Sequence, residues 1–314
     1  MNYVKKNTSF MRIPKMYHQN FMFNPREIPN RALMVGLYLN DTIDDYDLDI
    51  LEFLEKCNFA VERQIKRFCG GNNIEYVKER LDILFKNRMI NKFALMEDKK
   101  YNKAHPADAE EIYCLAEGGK MILDTYRDST LIWDFSKITS GSKAIAKALI
   151  DTEIWLDITY NTKIPLIGYE KYPSFAINKR MFTFGSQFRF KLGKSSKGSD
   201  MCSYMLCDTY HGDDDLLTLR RRFSSISSLL KSDYWRRYFH DSNEAPLMVF
   251  IVENDEMALM VAKEFTTIGG VRDDGFRLTT SERLIQGIDS PSTFLKYNYK
   301  EDALYETTLP IFAQ

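Results

Sequence analysis

Between residues 60 and 126 the apolar residues change their spacing, and this change of period constrains the fold more than any other feature of the chain. Ile74, Val77, Leu81 and Leu84 step by three, four and three, which lines one face of a helix over 74–89. Past Arg88 the helical period stops. Residues 91–96 and 111–115 read as the strands of a hairpin with a long, lysine-rich tip, and Glu117-Gly118-Gly119-Lys120 turns into a helix over 121–126. Upstream, Leu48, Leu51 and Leu54 with Ile50 and Phe53 give an amphipathic helix over 47–56, inside a sharply acidic segment. Residues 60–69 supply another helix before the Gly70-Gly71 break, and Asn73 stands where a helix cap belongs.

Three helices, a hairpin and a helix is the order of a winged helix. AVERQIKRFCGGNNIEYVKERLDILFKNRMI and EIYCLAEGGKMIL resemble winged-helix DNA-binding domains, the second through Tyr113-x-Leu115-x-x-x-Gly119, the turn that closes the wing in many such repressors. The resemblance covers residues 41–127 and implies contact with double-stranded DNA. Charge agrees locally: from Val61 to His105 there are eleven lysines and arginines against six acids, directly after the acidic segment. Asn73 and Arg80 are the residue types that bond base edges bidentately, and Tyr76 lies off the buried stripe with them. Lys66 and Lys78 suit phosphates, and Lys99, Lys100 and Lys103 at the wing tip are placed to reach an adjacent groove or the backbone. Glu75 and Glu79 are unhelpful on such a surface.

The second half alternates strands and helices. A helix over 143–160 precedes strands over 172–177, 181–192 and 201–207; then come a long helix over 216–238, a buried strand over 247–252, a helix over 255–265 and a strand over 276–280. The fold class is therefore α/β (α+β overall), with a winged helix followed by a mixed-sheet α/β domain. The expected division is an arm with a short helix over 1–40, a winged-helix domain over 41–128 and an α/β domain over 129–314. The order of the second half resembles the plasmid replication-relaxation family, an N-terminal winged helix followed by a restriction-endonuclease-like domain. The matching pieces are the helix over 143–160, the strand and turn over 201–208 before the long helix, and PLMVFIVENDEMALMVAKEF.

A nuclease of this type needs an Asp on one strand and acid-x-Lys on the next, so that two carboxylates hold Mg²⁺ and the lysine activates water. FRFKLG carries no Asp, and Tyr210 stands where the lysine after Asp208 belongs. The resemblance therefore implies a catalytically degenerate domain. Arg221 and Arg222, with Arg220, Lys231, Arg236, Arg237 and the serines at 224, 225, 227 and 228, give the long helix a basic face. Cations and hydroxyls there are suited to donate to phosphate, and Tyr234, Trp235 and Tyr238 to stack on unpaired bases.

Other chemistry is thinly represented. Leu192-Gly193-Lys194-Ser195-Ser196 contains the GKS of a P-loop, but Phe188 occupies the place of its first glycine and a strand follows. His18, His105, His211 and His240 are scattered, and Asp213-Asp214-Asp215 ends where a helix begins, which favours the helix dipole over a metal. The five cysteines have no CxxC spacing and read as buried free thiols. The formal charge is −1, no apolar run has the length of a membrane span, and the first residues lack the apolar core of a signal peptide, so a cytoplasmic protein is expected.

The expectation is a sequence-specific duplex-DNA-binding protein of a plasmid or other mobile element, acting in replication, transfer or regulation as a homodimer. Replication or transfer proteins are its further expected partners, and no catalytic residue, metal or cofactor is expected. The alternatives are a Mg²⁺-dependent nuclease or nicking enzyme using Asp208 and the 213–215 run, and a winged-helix protein-interaction scaffold.

Overall fold

A computed structural model describes residues 2–24, 30–70, 74–98, 105–127, 129, 139–161, 163–177, 179–194, 200–212, 214–231, 233–269 and 275–312. It confirms the α/β class. The chain divides into two compact units, Met1–Glu153 and Ile154–Gln314.

In the first unit a helix α1 (Arg31–Leu39) is capped by the Asn30 side chain, and α2 (Asp45–Cys57) opens with a reciprocal capping box between Asp44 and Asp47. A two-residue strand β2 (Ala60–Val61) leads into α3 (Glu62–Phe68) and α4 (Ile74–Lys86). Strands β3 (Ile90–Met96) and β4 (Ile112–Leu115) follow, then α5 (Glu117–Tyr126). With β1 (His18–Phe21) included, all strand pairs here are antiparallel, in the order β1-β3-β4-β2.

Helix α4 ends three residues earlier than its apolar spacing predicts. Arg88 takes a left-handed φ of 61°, and the Met89 N–H reaches back to the Leu84 carbonyl, which closes the helix and starts β3. The expected irregular arm is part of this unit: β1 (His18–Phe21) adds an edge strand to β3, and Val4, Phe10, Met11 and Ile13 are buried. Helix α5 starts at Glu117 and runs through both glycines. A Cβ on Gly119 would stand against the Met89 carbonyl oxygen and 2.7 Å from Leu115 Cδ1, so α5 packs closely here only because this residue is glycine.

The boundary between the units falls inside α6 (Ser142–Asn161). The second unit holds a seven-stranded sheet ordered β13-β12-β11-β10-β9-β8-β5. Strands β5 (Leu166–Lys171), β8 (Ser186–Lys194) and β9 (Asp200–Thr209) form an antiparallel meander. Strands β9, β10 (Leu247–Val252) and β11 (Phe276–Thr280) run parallel, joined through α7 (Leu216–Lys231) and α8 (Asp255–Gly269). After the short α9 (Ser281–Leu284), β12 (Phe294–Asn298) and β13 (Ala303–Thr307) complete the sheet antiparallel. Two crossovers in one direction place both helices on one face, where Phe223, Ile226, Val261 and Phe265 meet Leu206, Phe250, Phe276 and Leu278.

Three sequence expectations change. The strand expected over 181–192 is two strands, and β7 (Arg180–Thr183) pairs with β6 (Ser174–Ile177) as a separate hairpin. The helix expected over 216–238 stops at Lys231, and Asp233–Arg237 is a 3-10 turn. Beyond 290, where the sequence reading names no element, the chain supplies β12 and β13.

Candidate nucleic-acid interface

Val77, Leu81 and Leu84 bury one face of α4. The opposite face exposes Glu75, Lys78, Glu79, Asp82 and Lys86, three carboxylates against two amines. Tyr76 is half-buried, its ring 5.3 Å from that of Tyr46.

Arg80 is not on the open face. Its guanidinium grips Asp47 through both carboxylate oxygens, with Nε 2.9 Å from Oδ1, and donates to the Thr42 carbonyl at 3.0 Å. Asp47 is fully buried and also accepts the Asp44 N–H that starts α2. The Asp47 bonds hold Arg80 above the ordinary arginine value. Burial pushes the Asp47 carboxyl up, against the pull of Arg80. Arg80 therefore ties α4 to α2 and leaves the set of base-contacting candidates, because its Nε and one terminal nitrogen are committed to Asp47 and Thr42 inside the unit.

The other cations of the segment are partly answered in the same way. Lys66 pairs with Glu62 one turn earlier, and Arg63 and Arg67 both reach Glu153 on α6. Lys92 lies 3.3 Å from Glu111. Burial raises Glu111, yet His105, Lys92 and Tyr113 together outweigh it and bring it down to about 2. Glu111 and Glu153 lie outside the 61–105 stretch, so the excess visible along the chain is diluted in space. Lys78 and Lys86 stay exposed, with no ion pair among the described residues. Asn73, Lys99, Lys100 and Lys103 lie outside the described residues.

In the second unit Asp208 is buried at the end of β9 and held by Arg222, whose second nitrogen is 2.9 Å from Oδ1, and by the Tyr210 hydroxyl at 2.7 Å. Arg222 also donates to the Thr183 carbonyl at 2.6 Å, so it too leaves the phosphate-contacting set. Asp215 accepts from the Thr218 N–H and hydroxyl, capping α7, and Asp214 accepts from the His211 N–H. Among the described residues no group of three or more His, Cys, Asp or Glu could hold a metal ion.

Helix α7 contains no acid. Leu219, Phe223, Ile226 and Leu229 face the core, while Arg221, Ser224 and Lys231 are exposed and Ser225 and Ser228 half-buried. The hydroxyls of Ser225 and Ser228 donate to the carbonyls of Arg221 and Ser224. Trp235 is buried with the Arg236 guanidinium 4.6 Å from its ring centre, and Arg237 lies 5.0 Å from that of Tyr234. Tyr238 bonds the Ala176 N–H and carbonyl of β6. The aromatics expected to stack on bases are instead packed, covered or tied to the hairpin.

Sequence reasoning missed Lys179 and Arg180, exposed beside the hairpin turn. The alternation of Phe175 and Ile177 with the small residues Ser174 and Ala176 was the available signal for the hairpin, obscured by reading 181–192 as one strand. No protein-family model, no curated protein and no solved structure matches this chain.

Proposed function

We propose that the first unit is a winged helix that binds double-stranded DNA through α4, in a non-catalytic protein of a plasmid or other mobile element acting in replication, transfer or regulation. The observation that carries this reading is the order of α2, β2, α3, α4, β3 and β4, with β2 paired to β4 and β3 paired to β4. That arrangement leaves the outer face of α4 solvent-exposed, as a helix entering a major groove must be. Lys78 and Lys86 on that face are suited to donate to guanine or phosphate, while Glu75, Glu79 and Asp82 beside them oppose indiscriminate adhesion to a polyanion.

The second unit supports the non-catalytic half of the reading. The helix, three-strand meander, helix and parallel strand follow the order of the nuclease-like resemblance, but Arg222 occupies Asp208 where a divalent ion is needed. A homodimer reading paired half-sites is part of the proposal.

The test is duplex binding by the full chain and by Lys78→Ala, at two salt concentrations with Mg²⁺ present. Salt-sensitive, site-selective binding without cleavage, weakened about tenfold in the variant, is the expected result. Equal binding by both proteins removes α4 from the interface, and Mg²⁺-dependent cleavage favours the nuclease alternative.

A further inference from the structure

The second unit carries a surface that the α4 reading does not use. Helix α7 is sixteen residues without a carboxylate. Two of its four cations are spent on partners, Arg222 on Asp208 and Arg220 on Glu264 at 2.9 Å. Arg221 and Lys231 remain exposed on the outer stripe, with Ser224 between them. The two cations stand ten positions apart along the helix, about 15 Å at the α-helical rise. Arg236 and Arg237 continue the exposed positive charge into the 3-10 turn.

The β6–β7 hairpin is fastened to the same helix and turn. Phe175 and Ile177 are buried in their core, Arg222 holds the Thr183 carbonyl and Tyr238 holds Ala176. Lys179 and Arg180 are thereby presented from an anchored ribbon.

From this we infer that the face formed by Arg221, Lys231, Arg236 and Arg237, with Lys179 and Arg180 of the hairpin, is a second binding site for the phosphate backbone of duplex DNA, without sequence preference. Small side chains between the cations let a backbone approach the helix closely. The serine hydroxyls that bond the helix's own carbonyls are poor donors to bases, which leaves charge to carry the contact. Duplex is favoured over single strand because a single-strand site needs exposed rings for unpaired bases. Trp235 is buried under Arg236, and Arg237 covers Tyr234. The inference does not rest on the assignment of α4, since its residues lie in the other unit.

The test is fluorescence anisotropy of a random-sequence 30-mer duplex and its single strand, with the full chain and Arg221→Glu/Lys231→Glu. Lys78→Glu is measured in parallel, and thermal melting checks that each variant is folded. The expected result is a duplex affinity about tenfold or more lower in the double variant, with the slope of log affinity against log salt smaller by about 0.9 for each contact removed. Lys78→Glu is expected to change binding to this random probe by less. Duplex affinity within about twofold of wild type, or a tighter single-strand complex that the double variant loses, overturns the proposal. Arg221→Gln/Lys231→Gln, which removes charge without reversing it, gives the same readout should the reversed variant not fold. A loss confined to Lys78→Glu contradicts this site alone and leaves the α4 reading standing.

Discussion

Asp47 does two jobs with one carboxylate: it closes the capping box at the start of α2 and neutralises Arg80 of α4. Removing one partner of a buried ion pair leaves the other charge desolvated, at a cost of about 3–5 kcal/mol. Arg80→Ala should therefore lower the stability of the first unit by about that amount in a denaturant titration, whereas Lys78→Ala on the same helix should leave it nearly unchanged. Equal effects would place Arg80 on the open face after all. Glu111 makes the complementary prediction in pH. Its carboxyl is held at about 2 in the fold, below the ordinary glutamate value, so the folded state prefers the ionised form. That stability is complete above the ordinary value and is lost as pH falls towards 2. Glu111→Gln should flatten the acid limb of a stability-versus-pH curve and cost roughly 1–3 kcal/mol near neutrality. Neither pairing was legible in the sequence. Asp47 and Arg80 stand thirty-three positions apart among many like residues, and only the packing of α2 against α4 selects them.

Among the elements, helices with a clean apolar stripe were the most readable. The spacing of Val77, Leu81 and Leu84 located α4, and Leu219, Phe223 and Ile226 located α7. What spacing did not fix was where they stop, because the stops come from backbone geometry. Arg88 ends α4 in a left-handed conformation that its side chain does not advertise. The motif glycine at 119 was legible as a residue but not as a reason: the structure shows it admitting α5 against the Met89 carbonyl. Gly119→Ala should cost about 1–3 kcal/mol by overpacking, read as a fall in Tm. Gly36→Ala, in α1 where a Cβ meets nothing within 4 Å, should be neutral or slightly stabilising. The strands were harder to read. β12 and β13 lie beyond the parallel core and alternate weakly, and β7 was hidden in a run of aromatics that divides between two sheets, although its partner β6 was read over 172–177.

For the molecule as a whole, the sequence made the α/β class legible, while charge counted along the chain does not give the charge presented in space. The excess between residues 61 and 105 is reduced, not cancelled, by Glu111 and Glu153 from outside that stretch, whereas the acid-free α7 keeps Arg221 and Lys231 exposed. No described helix is long and apolar enough to cross a membrane. The two proposals together assign selective contact to α4 and backbone attraction to α7. Duplex recognition by the first unit is put to the test by selection from a random duplex pool with the full chain and with Lys78→Glu/Lys86→Glu. Convergence of the wild-type pool on one sequence, and no convergence with the variant, is the predicted result. The same enriched sequence from both proteins, or none from the wild type even at low salt, would contradict it.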